Sequence, residues 1–309
     1  MRLLLGLAGR NLQHSYKRAI TQPKSLRLFS SSQANHDLTP FTRRLLQLPT
    51  APSPPTRNHN DLKSFLSYAS RTLLPLTSTV YVGTKYEYTV LETLRRYALS
   101  LDRIGGRDDA GIDLVGTWHL PTLERERAVR VLVQCKALKA KLGPNIVREL
   151  EGTFRQAPVG WRTDQTVGVL VSPREATKGV RDTLARSSYP LCWMMVELDG
   201  TLRQALWNAR VEELGLAPLG VEMRYQNGLV KEVALTWDGC EIPDMDCVER
   251  DISSFEEQWV KSWGVEVIDK TVLLDMVQKV FPDGYPDTGL DGNFSETDRA
   301  RLLETLRER

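Results

Sequence analysis

Gly105-Gly106-Arg107-Asp108-Asp109-Ala110-Gly111-Ile112-Asp113-Leu114, followed by Val131-Leu132-Val133-Gln134-Cys135-Lys136, is the stretch on which the reading of this chain turns. The first run is a glycine-rich turn that opens into an apolar strand; the second is strand-like throughout. Side chains alternate faces along a strand, so Gln134 and Lys136 project to one side and Val133 and Cys135 to the other. The apolar pair packs inward, which leaves Gln134 and Lys136 at an open edge. Asp113 starts its own strand just after the turn. The charged loop 123–127 between the two runs predicts a hairpin, and a hairpin lets Asp113, Gln134 and Lys136 converge.

Hydrolysis of a phosphodiester needs such a set. A carboxylate binds Mg²⁺, preferably beside a second oxygen ligand. The metal polarises the phosphate and lowers the pKa of the attacking water. A nearby lysine orients that water or offsets charge that builds on the phosphate oxygens. Asp113 is the candidate carboxylate, Gln134 a neutral carbonyl ligand and Lys136 the candidate lysine. Singly, each reads as an ordinary strand or turn residue, and Asp109 reads first as a turn residue beside Gly111.

Upstream, Leu62, Phe65, Leu66, Ala69 and Leu73 recur at helical spacing after an Asn60/Asp61 cap. A second helix is predicted from Gly83 to Ser100, with Tyr86, Val90, Leu94, Tyr97 and Ala98 on one arc. Glu87 falls inside that arc. A carboxylate on a buried stripe costs energy unless a metal or a basic partner compensates it, or unless it is displaced to the edge of the stripe. Read as a fourth site residue, it supplies negative charge to the metal directly or through water.

Strands are predicted at 101–104, 112–118, 129–137, 167–171 and 190–198. Between the later ones lie two helix patterns. One starts at Pro144 and carries Ile146, Val147, Leu150 and Phe154. The other starts at Ser172-Pro173-Arg174-Glu175, read as a capping box with proline at the first helical position. The order α-β-β-β-α-β-α-β describes an α/β domain, a mixed sheet flanked by helices, over 60–200. Beyond it, 201–309 reads as a C-terminal hairpin around Gln226-Asn227-Gly228 and an acidic helical extension. Between 238 and 298 there are 16 acids against 4 bases, with helices predicted near 267–280 and from Asn293 to the end, the last capped by Ser295.

The N-terminus has a different character. Residues 1–36 hold six bases and no acid, with Ser residues and scattered leucines, the composition of a mitochondrial transit peptide over 1–29 with cleavage near Phe29 and delivery to the matrix. Residues 30–59, proline-rich from Pro40 to Pro55, read as a linker without a core of its own. Away from the leader the chain has 35 basic and 39 acidic residues, so nucleic-acid affinity must come from a local patch rather than a basic coat. Such a patch is available at 130–186, where 11 bases face 5 acids; Lys139, Lys141, Arg148, Arg174 and Lys178 are its candidate DNA contacts. No apolar run approaches the ~20 residues of a membrane helix. The four cysteines have no CxxC spacing, which argues against a zinc site.

The motifs Gly83-Thr84-Lys85-Tyr86-Glu87, Gly-Gly-x-x-Asp-x-Gly-Ile-Asp-Leu and Val-Gln-Cys-Lys together resemble the PD-(D/E)xK nucleases, and within them the Mrr-like restriction endonucleases, over roughly residues 78–200. The layout as a whole is similar to fungal mitochondrial proteins grouped as required for respiratory growth, seventh family. The first resemblance implies a restriction-endonuclease-like fold and a Mg²⁺- or Mn²⁺-dependent DNA endonuclease. Asp113, Gln134 and Glu87 would then serve as metal ligands and Lys136 as catalytic lysine. It departs from the general motif at Gln134, where an acid is usual, which weakens metal affinity. Mitochondrial DNA is the expected substrate, and cutting both strands with one such site suggests a homodimer. Two alternatives are a nuclease fold that binds DNA without turnover, and a respiratory interaction factor whose acidic tail contacts a protein partner.

Overall fold

The computed structural model describes residues 38–106, 110–121, 128–138, 140–226, 230–263, 269–282 and 295–307. The transit-peptide reading, Asp109, Lys139 and the turn at Asn227-Gly228 lie outside them. Two compact units form, one spanning Leu48–Met245, the other joining residues up to Gln47 with Asp246–Arg309.

The larger unit opens with α2 (Leu62–Arg71), numbered after the short α1 described below. Asp61 caps it by accepting from Ser64 N, and Ser64 Oγ accepts from Asp61 N in return, a reciprocal capping box. Helix α3 (Thr79–Arg95) starts four residues earlier than its glycine suggested, because Ser78 accepts from Tyr81 N. It also stops sooner: Leu99 already belongs to β1 (Leu99–Arg103). The arc of Tyr86, Val90, Leu94, Tyr97 and Ala98 is buried throughout.

Six strands build one sheet in the order β1-β2-β3-β4-β5-β6. Here β2 is Leu114–Trp118, β3 Val129–Cys135, β4 Thr166–Ser172, β5 Leu191–Val196 and β6 Leu202–Trp207. The first three are antiparallel, β3, β4 and β5 run parallel, and β6 returns antiparallel. Parallel neighbours require crossovers, and α4 (Asn145–Thr153) and α5 (Lys178–Arg186) provide them. Both cover the same face: Ile146, Val147, Leu150, Val180 and Leu184 pack with Leu170 and Trp193. The mixed α/β architecture expected from the sequence is present.

Three expectations fail for identifiable reasons. No helix starts at Ser172. That residue is fully buried at the end of β4 opposite Met195, and its Oγ accepts from Arg174 N in a local turn. Pairing in the sheet prevails over the capping pattern, and α5 begins after Thr177, which accepts from Val180 N. The sheet also continues past residue 200, since β6 follows an Asp199-Gly200 turn with Gly200 at φ 85°; Asp-Gly is a hairpin signal. Finally, the proline-rich segment is not without a core. Within it α1 (Pro40–Leu45), capped by Thr39, buries Phe41 and Leu45 among Trp259, Trp263, Leu274 and Val277 of the smaller unit.

The hairpin is formed by β7 (Leu219–Gln226) and β8 (Val230–Trp237), extended by β9 (Cys240–Glu241). The smaller unit contains α7 (Met245–Ser262), α8 (Lys270–Val280) and α9 (Glu296–Arg307), where α6 is the short turn Ala209–Val211. Ser295 caps α9 as expected, accepting from Asp298 N and donating to Asp298 Oδ2. Helix α7 escaped the sequence reading altogether.

Candidate active site

The backbone at Asp113 is held from both sides. Ile104 N and Gly105 N donate to its carbonyl at 2.9 and 2.8 Å, and its own N–H donates to Val133 O at 3.0 Å. Glycine is needed beside it: a Cβ on Gly105 would lie 3.1 Å from both Asp113 Cα and Oδ1. The carboxylate then reaches across the end of the ladder, where Oδ2 accepts from Cys135 N at 2.7 Å. That contact fixes an anion at the C-terminal end of β3.

Gln134 occupies the next position on the face covered by α4 and α5, since its register partner Leu170 packs there. Only 3% of it is exposed, and its Oε1 has no hydrogen-bond partner. Buried polar atoms are rarely left so, and each exception calls for an explanation. Its Nε2 lies against Gly111, which adopts φ 79°; a Cβ there would stand 3.0 Å from that nitrogen. Gly105 and Gly111 therefore let the backbone pass close to Asp113 and Gln134.

Lys136 N donates to Val171 O, so its backbone is anchored to β4. Its Nζ is 3.1 Å from Glu149 Oε2 on α4, and Glu149 Oε1 accepts from Asn145 at 3.3 Å. Glu149 was not singled out from the sequence, although Asn145 and Glu149 stand one helical turn apart on the side that faces Lys136.

Glu87 belongs to the other side of the sheet. Cys135, next along β3 and facing oppositely to Gln134, has its thiol pushed up by burial, then by the negative charges of Asp113 and Glu87. Burial also raises the pKa of Tyr86, whose hydroxyl donates to Val196 O. Glu87 Oε2 accepts from Arg103 Nε at 2.5 Å, with both side chains nearly nine-tenths buried. Arg103 also stacks over Tyr88 at 5.5 Å. The carboxylate on this stripe thus has a basic partner, Arg103. Arg103 was legible only as an alternate residue of β1.

The structure thus brings Asp113, Gln134 and Lys136 to one strand end, while Glu87 is ion-paired with Arg103 and its charge, like that of Asp113, reaches the Cys135 thiol. Among the described residues no group of three or more His, Cys, Asp or Glu is placed to hold a metal. A divalent ion there would need the Gln134 carbonyl and solvent beside Asp113. The orphaned Oε1 fits that use, because it is an oxygen ligand with no other occupation.

Of the candidate DNA contacts, Lys141, Arg148, Arg174 and Lys178 are all exposed. β3 and β4 are parallel, so the loops that follow them emerge at one sheet edge. Lys141, Arg174 and the start of α5 at Lys178 consequently share the edge where Lys136 sits. No described helix is long and apolar enough to cross a membrane.

Comparison with known proteins adds a family. Residues 78–128 and 122–225 match the family described as Required for respiratory growth protein 7. A Schizosaccharomyces pombe protein, named as uncharacterised and mitochondrial, is 36% identical over 153 residues, covering 48% of this chain and 60% of that protein. A Saccharomyces cerevisiae protein, named Required for respiratory growth protein 7, mitochondrial, is 28% identical over 172 residues, 43% of this chain and 71% of its own. A Lachancea thermotolerans protein of the same name is 29% identical over 169 residues, 42% and 66% respectively. No solved structure matches. Across α3, the six-stranded sheet and β7, this chain is therefore similar to the Required for respiratory growth protein 7 family.

Proposed function

We propose that this chain is a mitochondrial matrix protein needed for respiratory growth, and that its six-stranded unit is a metal-dependent DNA endonuclease of restriction-endonuclease-like fold. The names of the relatives support a mitochondrial location and the respiratory role; the matrix rests on the leader composition. The nuclease reading rests above all on Gln134 Oε1, a buried and unpartnered oxygen on the strand end where Asp113 and Lys136 also lie. Asp113 and Gln134 would hold Mg²⁺ or Mn²⁺, which supplies a Lewis acid for the phosphate and an activated water when bound. Lys136 would orient the water or neutralise the phosphate after leaving Glu149. Glu87 would contribute only after release from Arg103. The basic side chains at the same edge would hold the phosphate backbone in a salt-sensitive way, without reading sequence.

The ion pairs favour a second reading. Both Lys136 and Glu87 already have opposite charges beside them, as expected of a nuclease fold that docks DNA without turnover. One experiment separates the two. The protein is incubated with supercoiled, linear, branched and single-stranded DNA in Mg²⁺ or Mn²⁺, beside folded Asp113→Asn and Lys136→Ala variants. Cleavage that disappears in both variants establishes the nuclease and its site. DNA binding that survives both substitutions, with no cleavage of any substrate, establishes the binding module instead.

A further inference from the structure

Strand β7 forms the outer edge of its sheet, whose order is β7-β8-β9. Its residues Val221, Glu222, Met223, Arg224 and Tyr225 are all exposed, three of them large and apolar. The apolar three share a face with Leu235 and Val233, their register partners for Val221 and Met223, and those two are buried. The apolar face is thus covered at β8 and open at β7. An exposed edge of this kind is a template for another strand.

The ladder states which backbone groups are available. Asp238 N donates to Pro218 O, directly opposite it in the β7–β8 register. Bonded and non-bonded pairs alternate in an antiparallel ladder, so Gly220, Glu222 and Arg224 turn their N–H and C=O groups toward β8. Val221, Met223 and Tyr225 turn theirs outward. Leu219 has the same parity but is buried, so along the exposed part of β7 a second strand pairs through those three.

We infer that β7 is a homodimer interface, in which two copies pair antiparallel about a two-fold axis at Met223. In that register Met223 faces Met223 of the second copy, Val221 faces Tyr225, and Glu222 faces Arg224. Every outward N–H and C=O of the three residues finds a partner, about six hydrogen bonds in all. Each pair is of a favourable kind: an aromatic against a β-branched side chain, and opposite charges directly across. Shifting the axis to Val221 or Tyr225 keeps the backbone parity but sets Glu222 against Gly220, or Arg224 against Gln226. The charges thus select Met223. The interface is isologous, as a two-fold dimer requires, and it joins two six-stranded units whatever their chemistry.

The test uses the full chain in sedimentation or light-scattering measurements, with wild type expected at about twice its 35.0 kDa mass. Met223→Pro removes an outward N–H that β8 does not use, and it is expected to give a folded monomer. Glu222→Lys and Arg224→Glu place like charges across the axis, and each is expected to be monomeric alone. Mixed together, they restore every opposite pair and should form a heterodimer. A monomeric wild type, or variants that remain dimeric, would overturn the inference. So would single variants that are folded and monomeric but fail to associate when mixed.

Discussion

The two sides of β3 handle charge differently. Toward α3, the carboxylate of Glu87 is nearly buried and is matched by the equally buried guanidinium of Arg103, which Tyr88 covers. Toward α4, the buried oxygen of Gln134 is unmatched, and the ion pair nearby, Lys136 with Glu149, is half in solvent. The first arrangement resembles a stabilised interior. The second forgoes a hydrogen bond at a strand end that also carries Asp113. Stability is therefore expected to reside on one side of the strand and ligand dependence on the other.

The strongest challenge to that contrast is Arg103→Ala. Removing one member of a buried pair leaves an uncompensated charge, and the loss should be about 3 kcal/mol in urea unfolding. A loss below 1 kcal/mol would mean that Glu87 is easily relieved and that its pairing is not structural. Gln134→Leu should act in the opposite direction. Replacing an amide that has an unsatisfied buried oxygen is expected to leave the protein as stable or up to about 1 kcal/mol more stable. It should also erase any rise in melting temperature that Mn²⁺ produces in the wild type, because a bound ligand stabilises the fold in proportion to its occupancy. A metal response that persists in Gln134→Leu would remove this oxygen from the site.

Lys136→Ala tests the exposed pair. Side chains with 27% and 48% exposure are screened by water, so its stability cost should stay within about 1 kcal/mol, while any cleavage disappears. A large stability loss would move Lys136 to the structural side of the comparison. The smallest effect concerns His59, whose ring nitrogen lies 2.8 Å from the Tyr88 hydroxyl. Burial, then the charge of Arg103, hold its pKa below 6.5, with Asp61 opposing. The folded state therefore binds fewer protons than the unfolded one near that pH, and stability should fall as pH drops below 6.5. His59→Gln should flatten this slope, and an unchanged slope would assign it to other groups.

Much of this arrangement was legible in the residues themselves. Alternation in Val131–Lys136 and the glycine-rich turn before Asp113 put Asp113, Gln134 and Lys136 at one strand end with Gln134 at an open edge; β3 does end beside the Asp113 carboxylate, but Gln134 is buried, because the helices that cross over the parallel strands cover that face. Helical spacing put Glu87 on a buried stripe and named a basic partner as one remedy. It did not name Arg103, because Arg103 reaches Glu87 through the packing of α3 on β1, a contact across 16 residues that no local pattern encodes. Glu149 was missed for the same reason: only the crossover of α4 over β3 brings it to Lys136.

Local chemistry sufficed wherever a segment's partners lie a few residues away. The Asp61 cap, the Ser295 cap and the pairing of β7 with β8 needed only near neighbours, and they stand as read. Ser172 shows the limit. Its capping pattern was intact, yet β4 continued through it because Met195 and its strand supplied ladder bonds from a distant part of the chain. Phe41 and Leu45 show the same in reverse, a short helix inside a proline-rich stretch that persists because α8 and α7 bury it. Sequence decides a segment when its own hydrogen bonds and caps outweigh what remote elements can offer. Tertiary structure decides it when burial and sheet pairing, summed over distant residues, exceed a preference of about 1 kcal/mol.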